Sequence, residues 1–121
     1  MDKDERLAIA NEIYAQLGGV RFSLVTGARP ISISETKDGN LELTFKIGRN
    51  GSKANRMRVT YEIGPDLYKV EFYRLSKSSK TFVPVIVPVA SRDGVFCDQL
   101  ASYFREITGL VTTLPTFVSS K

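Results

Sequence analysis

Leu41-Glu42-Leu43-Thr44-Phe45-Lys46-Ile47, followed by Met57-Arg58-Val59-Thr60-Tyr61-Glu62-Ile63, decides the fold class. In both stretches apolar and polar residues alternate with period two, the period at which a strand turns successive side chains to opposite faces. Leu41, Leu43, Phe45 and Ile47 share one face, and Met57, Val59, Tyr61 and Ile63 share another. A polar loop at 48–56 joins them, so the pair predicts an antiparallel hairpin with one wet and one dry face.

Upstream of this pair, Ile31 and Ile33 lie on one face of an earlier strand that runs into Lys37-Asp38-Gly39-Asn40. Asp-Gly between alternating segments predicts a short hairpin turn in which both central residues take positive φ. Arg21-Phe22-Ser23-Leu24-Val25 reads as a further short strand, ended by Thr26-Gly27-Ala28-Arg29-Pro30. Downstream, Gly64-Pro65-Asp66 predicts a turn, and Tyr68, Val70 and Phe72 form the apolar face of the next strand. The segment 81–89, Thr-Phe-Val-Pro-Val-Ile-Val-Pro-Val, has prolines at 84 and 88, of equal parity. Both missing N–H groups then fall on one side, which marks an edge strand blocked against further pairing. Val83, Val85, Val87 and Val89 form one face, expected in the core. Phe82 and Ile86 form the other, expected under another element or at a protein interface.

Helical spacing brackets the strands. Leu7, Ala10, Tyr14 and Leu17, widened by Ile9 and Ile13, predict a helix over 3–17 that Gly18-Gly19 stops. Asp2 and Glu5 stand where a cap and its partner belong. A last helix is expected from Asp93 as N-cap to Thr108, with Phe96, Leu100, Tyr103, Phe104 and Ile107 as its apolar stripe and Gly109 as its stop. The expected fold is α+β: a five- to six-stranded antiparallel sheet with an N-terminal and a C-terminal amphipathic helix packed on it. Residues 1–114 form one domain in this reading, and 115–121 a flexible tail.

Composition narrows the function classes. At 121 residues, 42% hydrophobic and 25% charged, the chain is large enough to bury a core without disulfide or metal staples. With no histidine and one cysteine, a Cys/His zinc site is excluded within one chain, and no metal or other cofactor is expected. Nor is there a Walker pattern, a dinucleotide fingerprint or a nucleophile elbow, so no catalytic residue is assigned and a non-enzymatic role is expected. No apolar run approaches the roughly 18–20 residues of a membrane span. The acidic start at Met1–Glu5 leads into a helix and not an apolar signal core, so the expected location is the cytoplasm. The single Cys97, which has no partner within the chain, fits that location.

The net charge of +4 is unevenly spread: residues 1–20 carry −2, residues 21–60 carry +5, and residues 61–121 carry +1. The middle excess centres on Lys46, Arg49, Lys53, Arg56 and Arg58, with Asn50 and Asn55 between them. These seven residues are the candidate nucleic-acid contacts. Cations neutralise phosphates, the amides add donors, and the loop glycines admit backbone N–H groups to an anion. The same composition also suits a solvated hairpin turn or a contact with an acidic protein. Tyr73 has the outward parity of Lys69 and Glu71, where it either stacks on a base or packs across strands.

Several stretches resemble a group of small, uncharacterised proteins from bacteriophages and other mobile elements. They are Gln16-Leu17-Gly18-Gly19 with Arg21-Phe22, Thr26-Gly27-Ala28, Ser52-Lys53-Ala54-Asn55-Arg56, Asp66-Leu67-Tyr68 with Glu71-Phe72, Asp98-Gln99-Leu100 and Thr108-Gly109-Leu110. This chain has Val25 where the group more often has Met. The resemblance implies a bacterial host cytoplasm and assigns no activity to any residue. Two functions are therefore expected: a non-catalytic accessory protein binding DNA or RNA through the basic hairpin, or a protein-interaction module, either a homodimer or an inhibitor of a host protein.

Overall fold

The alternating stretches form the centre of an antiparallel sheet in a computed structural model that describes residues 3–19, 22, 23, 26–77 and 83–110. Its strands are β1 (Arg29–Glu35), β2 (Leu41–Lys46), β3 (Arg56–Glu62), β4 (Leu67–Lys77) and β5 (Pro84–Val95), in the spatial order of the sequence. Helix α1 (Lys3–Leu17) precedes the sheet. A 3₁₀ turn (Cys97–Gln99) and helix α2 (Leu100–Thr108) follow it. The α+β architecture expected from the alternation is the one observed, with five strands.

Register explains which face is dry. Phe45 pairs with Met57, Met57 with Phe72, and Leu43 with Val59, so directly opposed residues stack their side chains on one side of the sheet. Those residues are buried against Ala10, Ile13 and Leu17 of α1 and Leu100, Tyr103 and Phe104 of α2. Phe22 sits at the centre of this layer, fully buried, with its ring 4.9 Å from that of Phe104 and 5.9 Å from that of Phe45. Gly18 and Gly19, with φ of 121° and 63°, stop α1 as expected. The Gly19 N–H donates to the Tyr14 carbonyl at 2.8 Å.

Four local expectations are corrected. Phe22 and Ser23 are helical, not part of a strand. The Gly27 N–H donates to the Ser23 carbonyl and the Thr26 hydroxyl to the Phe22 carbonyl, an i, i+4 arrangement that buries Phe22 and Thr26 together. A five-residue stretch is too short for its period to separate strand from helical turn. Arg21, Leu24 and Val25 lie outside the described residues. At the 36–40 turn only Gly39 has positive φ, 81°. The Thr36 N–H donates to the Asn40 carbonyl and the Thr36 hydroxyl accepts from the Asn40 N–H, closing a wider loop than a two-residue turn.

Asp93 is no helix cap: β5 continues to Val95, and Phe96 is 57% exposed. Val95, opposite Tyr68, is buried, and Arg92 lies 4.3 Å over the Tyr103 ring while pairing with Glu106. These contacts hold 92–95 in the strand, where a cap would have to leave it. Finally, Val83, Val85, Val87 and Val89 are all exposed, so among the described residues neither face of this segment belongs to the core. β3 ends its pairing at Arg56–Tyr73, and Arg74–Lys77 of β4 pair with β5 alone as a two-stranded arm. Its edge position is as expected. Phe82 lies outside the described residues, and Ile86 is 58% exposed.

Candidate nucleic-acid interface

The β2–β3 loop is built from short-range hydrogen bonds that its own polar residues supply. Asn50 donates through Nδ2 to the carbonyls of Gly48 and Ala54, and its Oδ1 accepts the Ser52 N–H at 2.7 Å. The Gly51 N–H donates to the Thr108 carbonyl at 2.7 Å, tying the loop to the last turn of α2. A side chain at residue 51 would place its Cβ 3.0 Å from that carbonyl oxygen, a tight contact that the neighbouring backbone relieves only by shifting a few tenths of an ångström. Asn55 extends the sheet by one rung: its Nδ2 donates to the Leu75 carbonyl at 2.9 Å and its Oδ1 accepts the Leu75 N–H at 2.8 Å. Arg74 donates to the Lys53 carbonyl from the arm.

The seven sequence candidates therefore divide. Asn50 and Asn55 hold the loop in shape and have their amides occupied. Arg58 is held by a bidentate pair to Glu71, 3.1 Å to each oxygen, with Glu42 at 3.9 Å and the Tyr73 ring at 5.3 Å. The hydrogen bond to Glu71 raises its pKa further above the ordinary arginine value. Lys46, Arg49 and Lys53 are exposed, and Arg56 half-buried, and none of the four pairs with a carboxylate among the described residues.

Register adds one cation that sequence reading missed, and a side-chain hydrogen bond adds a second. Arg29 pairs with Lys46, Lys46 with Arg56, and Arg56 with Tyr73, giving one row across four strands on the face that no described helix covers. The row spans about 14 Å, three strand spacings of about 4.8 Å. Arg74, one residue beyond Tyr73 and so of opposite parity, reaches the β2–β3 loop from the arm through its bond to the Lys53 carbonyl. Residues 43–61 hold five basic and no acidic residues, and residues 72–92 hold four basic and none acidic. The fold sets the described parts of these two segments side by side, β3 pairing with β4 as far as Arg56–Tyr73 and the arm continuing beyond it. That absence of acid was the available sequence signal.

The opposite end differs. There a cleft of about 340 Å³ is lined by Glu12, Tyr61, Asp66, Tyr68, Phe96 and Cys97. Tyr61 donates its hydroxyl to Asp66, which raises the phenol's pKa. Burial pushes that of Tyr68 up to about 12. Cys97 is exposed. Among the described residues no three Cys, Asp or Glu side chains converge as metal ligands, and no helix is long and apolar enough to cross a membrane. Comparison with protein-family models, curated proteins and solved structures finds no match.

Proposed function

We propose that the chain is a non-catalytic accessory protein that binds nucleic acid through the basic end of its sheet. What carries this function is the juxtaposition around the β2–β3 loop of six cations, Arg29, Lys46, Arg49, Lys53, Arg56 and Arg74, that have no carboxylate partner among the described residues. Free cations on a preformed loop neutralise phosphates without first breaking an ion pair. The setting we infer, in keeping with the resemblance to small phage and mobile-element proteins, is a bacterial host cytoplasm.

The test is binding measured against salt. Four neutralised phosphates give a slope of log K on log salt of about −3 for a single strand and about −4 for a duplex. Salt-independent binding, or none at low salt, overturns the proposal. A second reading draws on Val83, Val85, Ile86, Val87 and Val89, whose exposure favours a protein contact by the arm, with a second copy or a host protein. Light scattering that finds a monomer at high concentration, together with no host protein retained from lysate, counts against it.

A further inference from the structure

The β-bulge in β5 opens a slot on the uncovered face. Register passes from Phe72–Ala90 to Tyr73–Pro88, leaving Val89 without a partner. Beside it lies a cavity of about 320 Å³, walled by Tyr73, Ile86, Pro88 and Val89 with the Arg58–Glu71 pair on one side. That volume stands at the small end of the range for ligand pockets, about 300–1,000 Å³. Bulges of this kind recur beside functional sites, where they break the ladder and redirect side chains.

Its chemistry differs from that of the neighbouring cation row. Glu71 neutralises Arg58 and would repel a phosphate, so the slot itself suits a neutral group. An aromatic ring and aliphatic walls suit a flat apolar body. A guanidinium beside a carboxylate offers donors and acceptors to a polar edge. Tyr73 is the direct cross-strand neighbour of Arg56, so a chain whose phosphates lie on Arg29, Lys46 and Arg56 brings its next unit to the slot. A flat body with a polar edge, attached to a polyanion, is a nucleobase. In a duplex that base is stacked and paired and cannot enter.

We infer that the slot receives one unpaired base, and that the protein prefers single-stranded nucleic acid. This rests on the nucleic-acid function proposed above. The experiment uses the whole chain with three probes of about 12 nucleotides, within the usual single-strand site size: oligothymidine, the same strand with abasic sugars throughout, and a blunt duplex. Oligothymidine is expected to bind about tenfold tighter than the abasic strand at equal salt, and tighter than the duplex. Tyr73→Leu, which keeps an apolar side chain, is expected to erase that difference while leaving the salt slope unchanged. Ile86→Ala, at an exposed position, is expected to reduce it in a protein of unchanged melting temperature. Equal binding of the base-bearing and abasic strands, or tighter binding of the duplex, overturns the slot while salt-dependent binding keeps the wider function. Failure of all three probes to bind at low salt overturns both.

Discussion

The two ends of this sheet are made from the same strands and carry opposite chemistry. At one end Lys46, Arg49, Lys53 and Arg56 stand with Arg29 and Arg74, and no acidic residue lies in 43–61 or 72–92. At the other, Glu12 and Asp66 line a cleft with two tyrosines, and Asp38, Glu42 and Glu62 lie beside it on the open face. A net charge of +4 conceals this division. What matters for binding is how many cations remain without a partner once the register is set.

Both ends depend on one packed layer, so the largest effect comes from removing its centre. Phe22→Ala deletes a ring in contact with those of Phe45 and Phe104 and is expected to cost about 3–5 kcal/mol of unfolding free energy. Denaturant titration measures it. A loss below about 1 kcal/mol would show that the helices do not anchor on this residue.

Next in size is the effect of stripping the basic end alone. Lys46→Ala, Arg49→Ala and Lys53→Ala together are expected to flatten the single-strand salt slope by about 2 and weaken binding on the order of a hundredfold or more at low salt. Stability should be unmoved, since these side chains are exposed and pair with no carboxylate among the described residues. The matching substitutions Asp38→Asn and Glu62→Gln at the far end are expected to leave the slope unchanged. An equal effect from both ends would mean that net charge, not its placement, governs binding.

The acidic end has its own signature in alkali. Burial lifts the Tyr68 pKa from 10.0 to about 12 in the folded protein. The folded state therefore favours the neutral phenol. That contribution is fully present below pH 10 and is lost as pH rises toward 12. The denaturant midpoint should fall over that window, and Tyr68→Phe should blunt the fall. A midpoint flat from pH 9 to 12 would place the phenolate in water.

Much of the fold was legible because alternation over seven residues at 41–47 and 57–63 admits only one dry face. The same reasoning failed at Phe22, where a short apolar stretch fits a helical turn equally well. It failed again at Asp93, where Arg92 and Val95 hold the chain in the sheet through partners distant in sequence. The site was legible in part. A charge cluster can be counted along the chain, but Arg29 joins it only through its pairing with Lys46, and Arg58 leaves it through Glu71. Neither fact is local.

Gly51 tests whether the loop's docking matters to the basic end. Gly51→Ala places a methyl group 3.0 Å from the Thr108 oxygen, and a shift of a few tenths of an ångström to relieve that contact is expected to weaken the hydrogen bond from the residue 51 N–H. The expected loss is about 1 kcal/mol of stability. Binding should weaken modestly with its salt slope intact, because the cations survive while their arrangement loosens. A variant that binds as wild type would show that the loop needs no preformed shape.

Arg58 gives the smallest effect and the sharpest contrast with Arg49. The two lie in one hairpin and carry one charge each. Arg58 is held by Glu71 through two 3.1 Å hydrogen bonds, with Glu42 nearby, whereas Arg49 faces solvent without an ion-pair partner among the described residues. Contacting a phosphate with Arg58 would mean giving up those bonds, and a partly exposed pair of this kind contributes only about 0–1 kcal/mol to folding. Arg58→Gln is therefore expected to shift stability by about 1 kcal/mol or less and to leave the salt slope where it was. Arg49→Gln should lower the slope by about 0.7 on a single strand. If the two substitutions change the slope equally, the ion pair opens on binding, and Arg58 belongs with the phosphate contacts after all.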